Sequence, residues 1–161
     1  MSEDNRPYRP CVGIMLVNAE GDVFVGNRID TPGDHWQMPQ GGVDDGEAVD
    51  VAVMRELGEE IGTQKATIIM QSNIWHAYDL PSDLSRKIWK GRYRGQKQKW
   101  FLMRYDGDDN DINLEAHKPE FSEWRWSPLN DLCDRIVPFK RDIYEKVVEE
   151  FSTHIKAMQK P

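Results

Sequence analysis

The 161-residue sequence has little that would anchor, export or cross-link it. No apolar run approaches the ~20 residues that a membrane-spanning helix requires. The opening stretch MSEDNRPYRP is acidic and polar where a secretion signal would be apolar, so a cytoplasmic protein with no membrane contact is expected. Its two cysteines, Cys11 and Cys133, form no C-x-x-C pair, which excludes a thiolate metal set and predicts buried, unpaired thiols without a disulfide. The four histidines, His35, His76, His117 and His154, lack ligand spacing and read as structural or exposed. Repeats are absent. Cationic excess is absent too: the formal charge is −7, which argues against a nucleic-acid coat protein and against DNA as a partner, because backbone binding needs cations.

One window reverses that balance. From Arg86 to Lys99, RKIWKGRYRGQKQK has no acidic residue and interleaves Trp89 and Tyr93 with seven basic residues, a composition suited to a polyphosphate or an RNA end. The opposite excess, DGDDNDINLE at 106–115, is not a calcium loop. Counted from Asp106, the EF-hand spacing wants glycine sixth and glutamate twelfth, where Asp111 and His117 stand; a solvated turn is expected.

The length fits one domain over 1–161 with a sizeable core, and six tryptophans supply aromatic surfaces for stacking. CVGIMLV (11–17) and DVFVGNR (22–28) read as strands joined by a hairpin through Asn18 to Gly21. ATIIMQSNIWHAY (66–78) and KQKWFLMRY (97–105) read as further strands, while EWRW (123–126) alternates polar and aromatic residues. Ile143, Val147, Phe151 and Ile155 recur every four residues and mark a helix from about 140 to 158. Order and periodicity predict an α/β domain.

The chemistry concentrates in WQMPQGGVDDGEAVDVAVMRELGEEIG, Trp36 to Gly62. A helix is expected from about Glu47 to Glu60, entered through the D-x-x-E spacing of Asp44 and Glu47 and ended by Gly62. At about 100° per residue from Val49, Val53 falls near ~40°, Leu57 near ~80° and Ile61 near ~120°, a stripe that faces a core. Glu60 falls near ~20° and Glu56 near ~340°, at or inside that stripe, with Glu59 at ~280°. Clustered carboxylates at the edge of a core repel one another and lose hydration, so a compensating cation is expected. Either Arg55 and nearby lysines supply it, or a hard divalent ion does, Mg²⁺ first and Mn²⁺ second. Gly41 and Gly42 ahead of the helix allow close backbone approach to a ligand.

Gly41, Glu47 and the run Arg55-Glu56-Leu57-Gly58-Glu59-Glu60-Ile61-Gly62 resemble the Nudix box, G-x5-E-x7-R-E-U-x-E-E-x-G-U, here 41–63. Only Thr63 departs, where the family has an aliphatic residue; packing at the helix exit is affected and the chemistry is not. WQMPQGG, GQKQKWFL (95–102), PEF with WRW (119–126) and VPFKRDIY (137–144) extend the resemblance to bacterial RNA pyrophosphohydrolases and dinucleoside polyphosphate hydrolases, over most of the chain. The resemblance implies the Nudix fold, a mixed β-sheet sandwiched between α-helices, and metal-assisted hydrolysis of a phosphoanhydride. It implies Glu56, Glu59 and Glu60 as metal ligands and catalytic groups, with Glu56 ranked first as base. It further implies Arg55 as their positioner, Glu47 as a brace for the loop, and Glu120 and the Gly41 carbonyl as further metal ligands. Arg9, Arg28, Gln40, Lys97 and Lys140 would contact phosphate or nucleotide, and Phe139 would stack a base beside Val137.

Three functions follow from this resemblance. The first is conversion of the 5′-triphosphate end of RNA to a monophosphate, which initiates RNA decay. The second is hydrolysis of dinucleoside polyphosphates such as diadenosine tetraphosphate. The third, a non-catalytic nucleotide or RNA sensor, fits less well because every box carboxylate is present. A monomer is expected.

Overall fold

The computed structural model describes residues 5–29 and 33–158, the side chains of Phe139 and Met158 excepted. Its spine is β1 (Tyr8–Val17), bonded in parallel to β7 (Gly95–Tyr105) from the pair Tyr8↔Gly95 to Val17↔Arg104. Around it run β2 (Val23–Arg28), β3 (Trp36–Gln37), β4 (Gln40–Gly42), β5 (Ala66–Gln71), β6 (His76–Asp79) and β8 (Phe121–Ser127). The sheet order is β3-β2-β1-β7-β5, with β4 antiparallel to β1, β6 to β7 and β8 to β2. Among the described residues the α-helices are α1 (Val49–Ile61), α2 (Ser82–Lys87), α3 (Leu132–Arg135) and α4 (Arg141–Met158).

CVGIMLV is apolar without alternation because both faces of β1 are covered. Met15 and Val17, with Trp100 and Leu102 of β7, pack beneath the α4 stripe of Ile143, Tyr144, Val147, Phe151 and Ile155. Val12, Ile14 and Leu16, with Phe101 and Met103, pack beneath Ala52, Val53, Leu57 and Ile61 of α1. Each fully buried Leu, Ile or Phe contributes roughly 1.5–3 kcal/mol, so an acidic residue at Val147 would detach α4 from its face. The mixed sheet between helices is the expected fold.

Several boundaries differ from expectation. The helix begins at Val49, not Glu47, and its N-cap, Ala48, offers no side-chain bond. The Asp44 and Glu47 pair closes a turn ahead of the helix instead of capping it: the Asp44 N–H donates to Glu47 Oε1 and the Glu47 N–H to the Asp44 carbonyl, each at 3.0 Å. The exit matches expectation, with Gly62 at φ 78° donating to the Gly58 carbonyl at 3.0 Å, a left-handed geometry that favours glycine. The single strand read over 66–78 is two strands. Ser72 breaks it by accepting the Trp100 N–H at 3.0 Å and donating to the Ile74 carbonyl at 2.9 Å. Between Asn18 and Gly21 the hairpin forms as expected, its Asn18 Oδ1 accepting the N–H groups of Glu20 and Asp22. The acidic 106–115 stretch forms a short helical turn at Asp109–Asp111 with mostly solvated carboxylates. Cys11 is buried and unpaired, while Cys133 is only half-buried.

Candidate active site

β4 places glycine backbone against the charged side of α1. A Cβ built on Gly41 would overlap the Glu56 carboxylate, and one on Gly42 would overlap the Arg9 guanidinium, so only glycine admits both groups here. Arg55 supplies the compensating charge. Its Nε and Nη2 grip the two Glu47 oxygens at 2.8 Å each, its Nη2 also donates to the Gly42 carbonyl at 2.9 Å, and its Nη1 donates to Glu56 Oε1 at 2.9 Å and Glu59 Oε2 at 3.2 Å. That one guanidinium ties the glycine loop to three glutamates, a planar fork no lysine reproduces. Bonding to Arg55 and to the Asp44 N–H holds the Glu47 carboxyl down at about 2.

Glu60 is beyond the reach of that fork. Only 5% of it is exposed, and its Oε2 has no hydrogen-bond partner among the described residues. Burial, then the charges of Glu56 and Glu120, push its carboxyl well above the usual carboxylate range; Arg28 and the Gln40 N–H oppose this. Burial raises Glu56 to about 7 against the pull of Arg55, with Glu59 adding to the rise. Arg55 therefore answers the charge of Glu47 and part of that of Glu56 and Glu59, and leaves Glu60 outside its hydrogen bonds.

A cleft of about 330 Å³ gathers Arg9, Arg28, Gln40, Gly41, Gly42, Glu56, Glu59, Glu60, Trp89, Gln96 and Glu120. Glu120 enters at the start of β8, joined to Arg28 at 3.3 Å. Arg9 lies 5.0 Å from the Trp89 ring, which belongs to a turn where Trp89 and Lys90 adopt φ 49° and 58°. Beneath the cleft, Gln40, Gln96 and Gln98 form a buried amide cluster with Tyr78 and Trp100.

Eight of the expected site residues, Arg9, Arg28, Gln40, Gly41, Glu56, Glu59, Glu60 and Glu120, thus line one cleft, with Arg55 behind them. Three of the others, Lys97, Val137 and Lys140, lie elsewhere. Lys97 is not among the lining residues: β-strand alternation turns it away from Gln96 and Gln98, and its Nζ sits 5.3 Å from the Trp75 ring. Val137 packs on the core beneath α4, and Lys140 is buried with its Nζ 3.5 Å from Gln37 Oε1. The Phe139 side chain lies outside the described residues. Gln96 escaped residue-level reading, although its place two before Gln98 and four before Trp100 marked one face of a strand. His117, read as structural or exposed, lines a recess behind the same glutamates with Lys118.

The NUDIX domain model matches residues 7–147. The chain belongs to the Nudix family. RNA pyrophosphohydrolases are its similar relatives: that of Roseobacter denitrificans is 56% identical over 151 residues, covering 92% of this chain and 94% of the relative. That of Novosphingobium aromaticivorans is 59% identical over 149 residues, covering 90% and 92%. Among solved Nudix-fold structures, the E. coli dihydroneopterin triphosphate pyrophosphohydrolase aligns with a TM-score of 0.69 at 20% identity, covering 90% of this chain and 99% of that one. A C. elegans Ap4A hydrolase aligns at 0.61 and 18%, covering 89% and 98%. These two likenesses establish the fold alone.

Nudix enzymes use a divalent metal. The donor set here fits one: oxygen ligands only, four carboxylates within one cleft, and an orphaned buried oxygen on Glu60. Among the described residues no three His, Cys, Asp or Glu side chains close into a finished cage. An ion that retains water and substrate phosphate as ligands does not need one.

Proposed function

We propose that this chain is an RNA pyrophosphohydrolase that converts the 5′-triphosphate end of RNA to a 5′-monophosphate and so initiates RNA decay. The observation that carries the reading is one cleft in which Glu56, Glu59, Glu60 and Glu120 face Arg9 and Arg28. Carboxylates for cations and guanidinium groups for phosphate in one cleft suit a phosphoanhydride, and relatives above 50% identity named for RNA support RNA as the substrate.

Mg²⁺ is the expected ion, with Mn²⁺ as a substitute, held by Glu56, Glu59, Glu60, Glu120 and the Gly41 carbonyl. When bound, it supplies charge neutralisation and Lewis acidity to the phosphate chain. Arg9 and Arg28 orient the substrate's non-bridging oxygens, and Gln40 reads the same group by hydrogen bonding. Arg55 holds Glu56 and Glu59 in place without touching substrate. Glu56, which lines the cleft and is steadied by Arg55, is the residue assigned to accept the proton of the attacking water. Val137, Phe139 and Lys140 form the nucleotide end of the site in this reading, and Lys97 contacts RNA outside the cleft. The protein acts in the cytoplasm, as a single domain and a monomer; no helix among the described residues is long and apolar enough to cross a membrane.

The test is a one-pot competition between 5′-triphosphorylated RNA and diadenosine tetraphosphate with Mg²⁺, read as the ratio of kcat/KM values. A ratio favouring RNA supports the reading; one favouring the dinucleotide makes the protein a dinucleoside polyphosphate hydrolase. Turnover of neither substrate, with Glu60→Gln indistinguishable from wild type, would leave the sensor.

A further inference from the structure

Behind the carboxylates lies a recess of about 250 Å³ lined by Glu56, Glu59, Glu60, His117, Lys118 and Glu120. Three observations suit it to a ligand. Its four carboxylates, the unpartnered Glu60 oxygen among them, call for a cation, so a phosphate enters this recess only as the partner of the metal those groups would hold. Its only non-acidic lining groups are an imidazole and an ammonium, both donors to an anion. Its volume falls below the ~300–1,000 Å³ typical of clefts that hold drug-sized molecules, so it suits a phosphate chain end and not a nucleoside.

His117 also lines a wider groove of about 790 Å³ along the outer side of α1, with Val51, Met54 and Gln64. His117 and Glu59 thus line both the small recess and the larger groove. Exposed loop residues ahead of β8, His117 and Lys118 are not required for core packing.

We infer that His117 and Lys118 form the end wall of the polyphosphate site, contacting the outermost phosphate and selecting a chain terminus over a polyphosphate that continues into a second nucleoside. A terminal phosphate carries more charge and more free oxygens than a bridging one, and Lys118 and His117 donate to those oxygens. A dinucleoside polyphosphate would have to pass His117 to reach the outer groove. This wall rests on the proposed function for its substrate and makes that substrate's free end the feature read.

The test uses Lys118→Ala and His117→Ala in the full chain, with circular dichroism to verify folding. Lys118→Ala is expected to lower kcat/KM for triphosphorylated RNA about tenfold and to weaken inorganic pyrophosphate binding, measured by calorimetry with Mg²⁺, by a similar factor. Its diadenosine tetraphosphate hydrolysis should change less than about threefold. His117→Ala should shift the ratio of the two kcat/KM values toward the dinucleotide. Equal losses on both substrates, or unchanged pyrophosphate affinity, would overturn the end wall. Failure of the wild type to hydrolyse RNA would instead defeat the proposed function, and the pyrophosphate titration would still decide whether the wall binds a phosphate end.

Discussion

Without metal, the acidic helix should make this protein less stable as the pH rises to neutrality, and Glu56 is where the effect can be isolated. Its carboxyl rises from the ordinary 4.5 to about 7 on folding. The folded state therefore binds more protons than the unfolded state between those values, and stability falls as pH climbs through that window. At ~1.4 kcal/mol per pH unit, the loss attributable to Glu56 is about 3 kcal/mol. Glu60, raised well above the usual carboxylate range by burial, adds a loss of the same sign. Glu47 does not mask it: held at about 2, it gives up its stabilisation only as pH falls from 4.5 toward 2. The assay is urea unfolding of chelator-treated protein between about pH 5 and about pH 7.5, for wild type and Glu56→Gln. Wild type should lose about 2 kcal/mol more than the variant across that range, and Mg²⁺ should restore most of the difference at the upper end. Parallel pH profiles for the two proteins, or a wild type more stable at neutrality than in mild acid without metal, would refute the reasoning.

Other consequences follow from the same contacts. Arg55→Lys breaks the fork on Glu47 and the bonds to the Gly42 carbonyl, Glu56 and Glu59; a loss of about 2–4 kcal/mol in unfolding free energy and a fall in kcat are expected from denaturation and steady-state kinetics. Gly41→Ala places a methyl where the Glu56 carboxylate lies, so kcat should drop about 100-fold while the circular dichroism spectrum stays unchanged. Tyr144→Phe leaves the buried Met38 N–H without its acceptor at 2.9 Å, and a thermal melt should report a loss of about 1–3 kcal/mol.

Local pattern carried much of the architecture and the acidic half of the site. The four-residue recurrence of Val49, Val53, Leu57 and Ile61 oriented α1, and placing Glu60 inside that stripe was a statement about its burial, observed at 5% exposure. The same recurrence in Ile143, Val147, Phe151 and Ile155 defined α4, because helix periodicity is set by backbone geometry within a few residues. Glycine at the helix exit behaved as its conformational freedom requires.

Other features depended on partners distant in sequence. Ser72 splits a strand because it meets Trp100, 28 residues away, and Glu47 turns out of the helix because Arg55, eight residues on, grips it more strongly than a cap would. Lys97 sits in the most basic stretch of the chain, yet the pairing of β7 with β1 assigns the cleft side to Gln96 and turns Lys97 toward Trp75. Composition counts charges without knowing which face of a strand carries them. Sequence alone determined where the carboxylates of α1 fall and which faces of α1 and α4 are buried, since both follow from residue type and local period. Tertiary structure decided how Arg9, Gln40 and Glu120, implied only by resemblance, and Gln96 meet Glu56 at one cleft, and that His117 and Lys118 line a recess sharing its glutamates, because strand register and loop return, not spacing, bring those positions together.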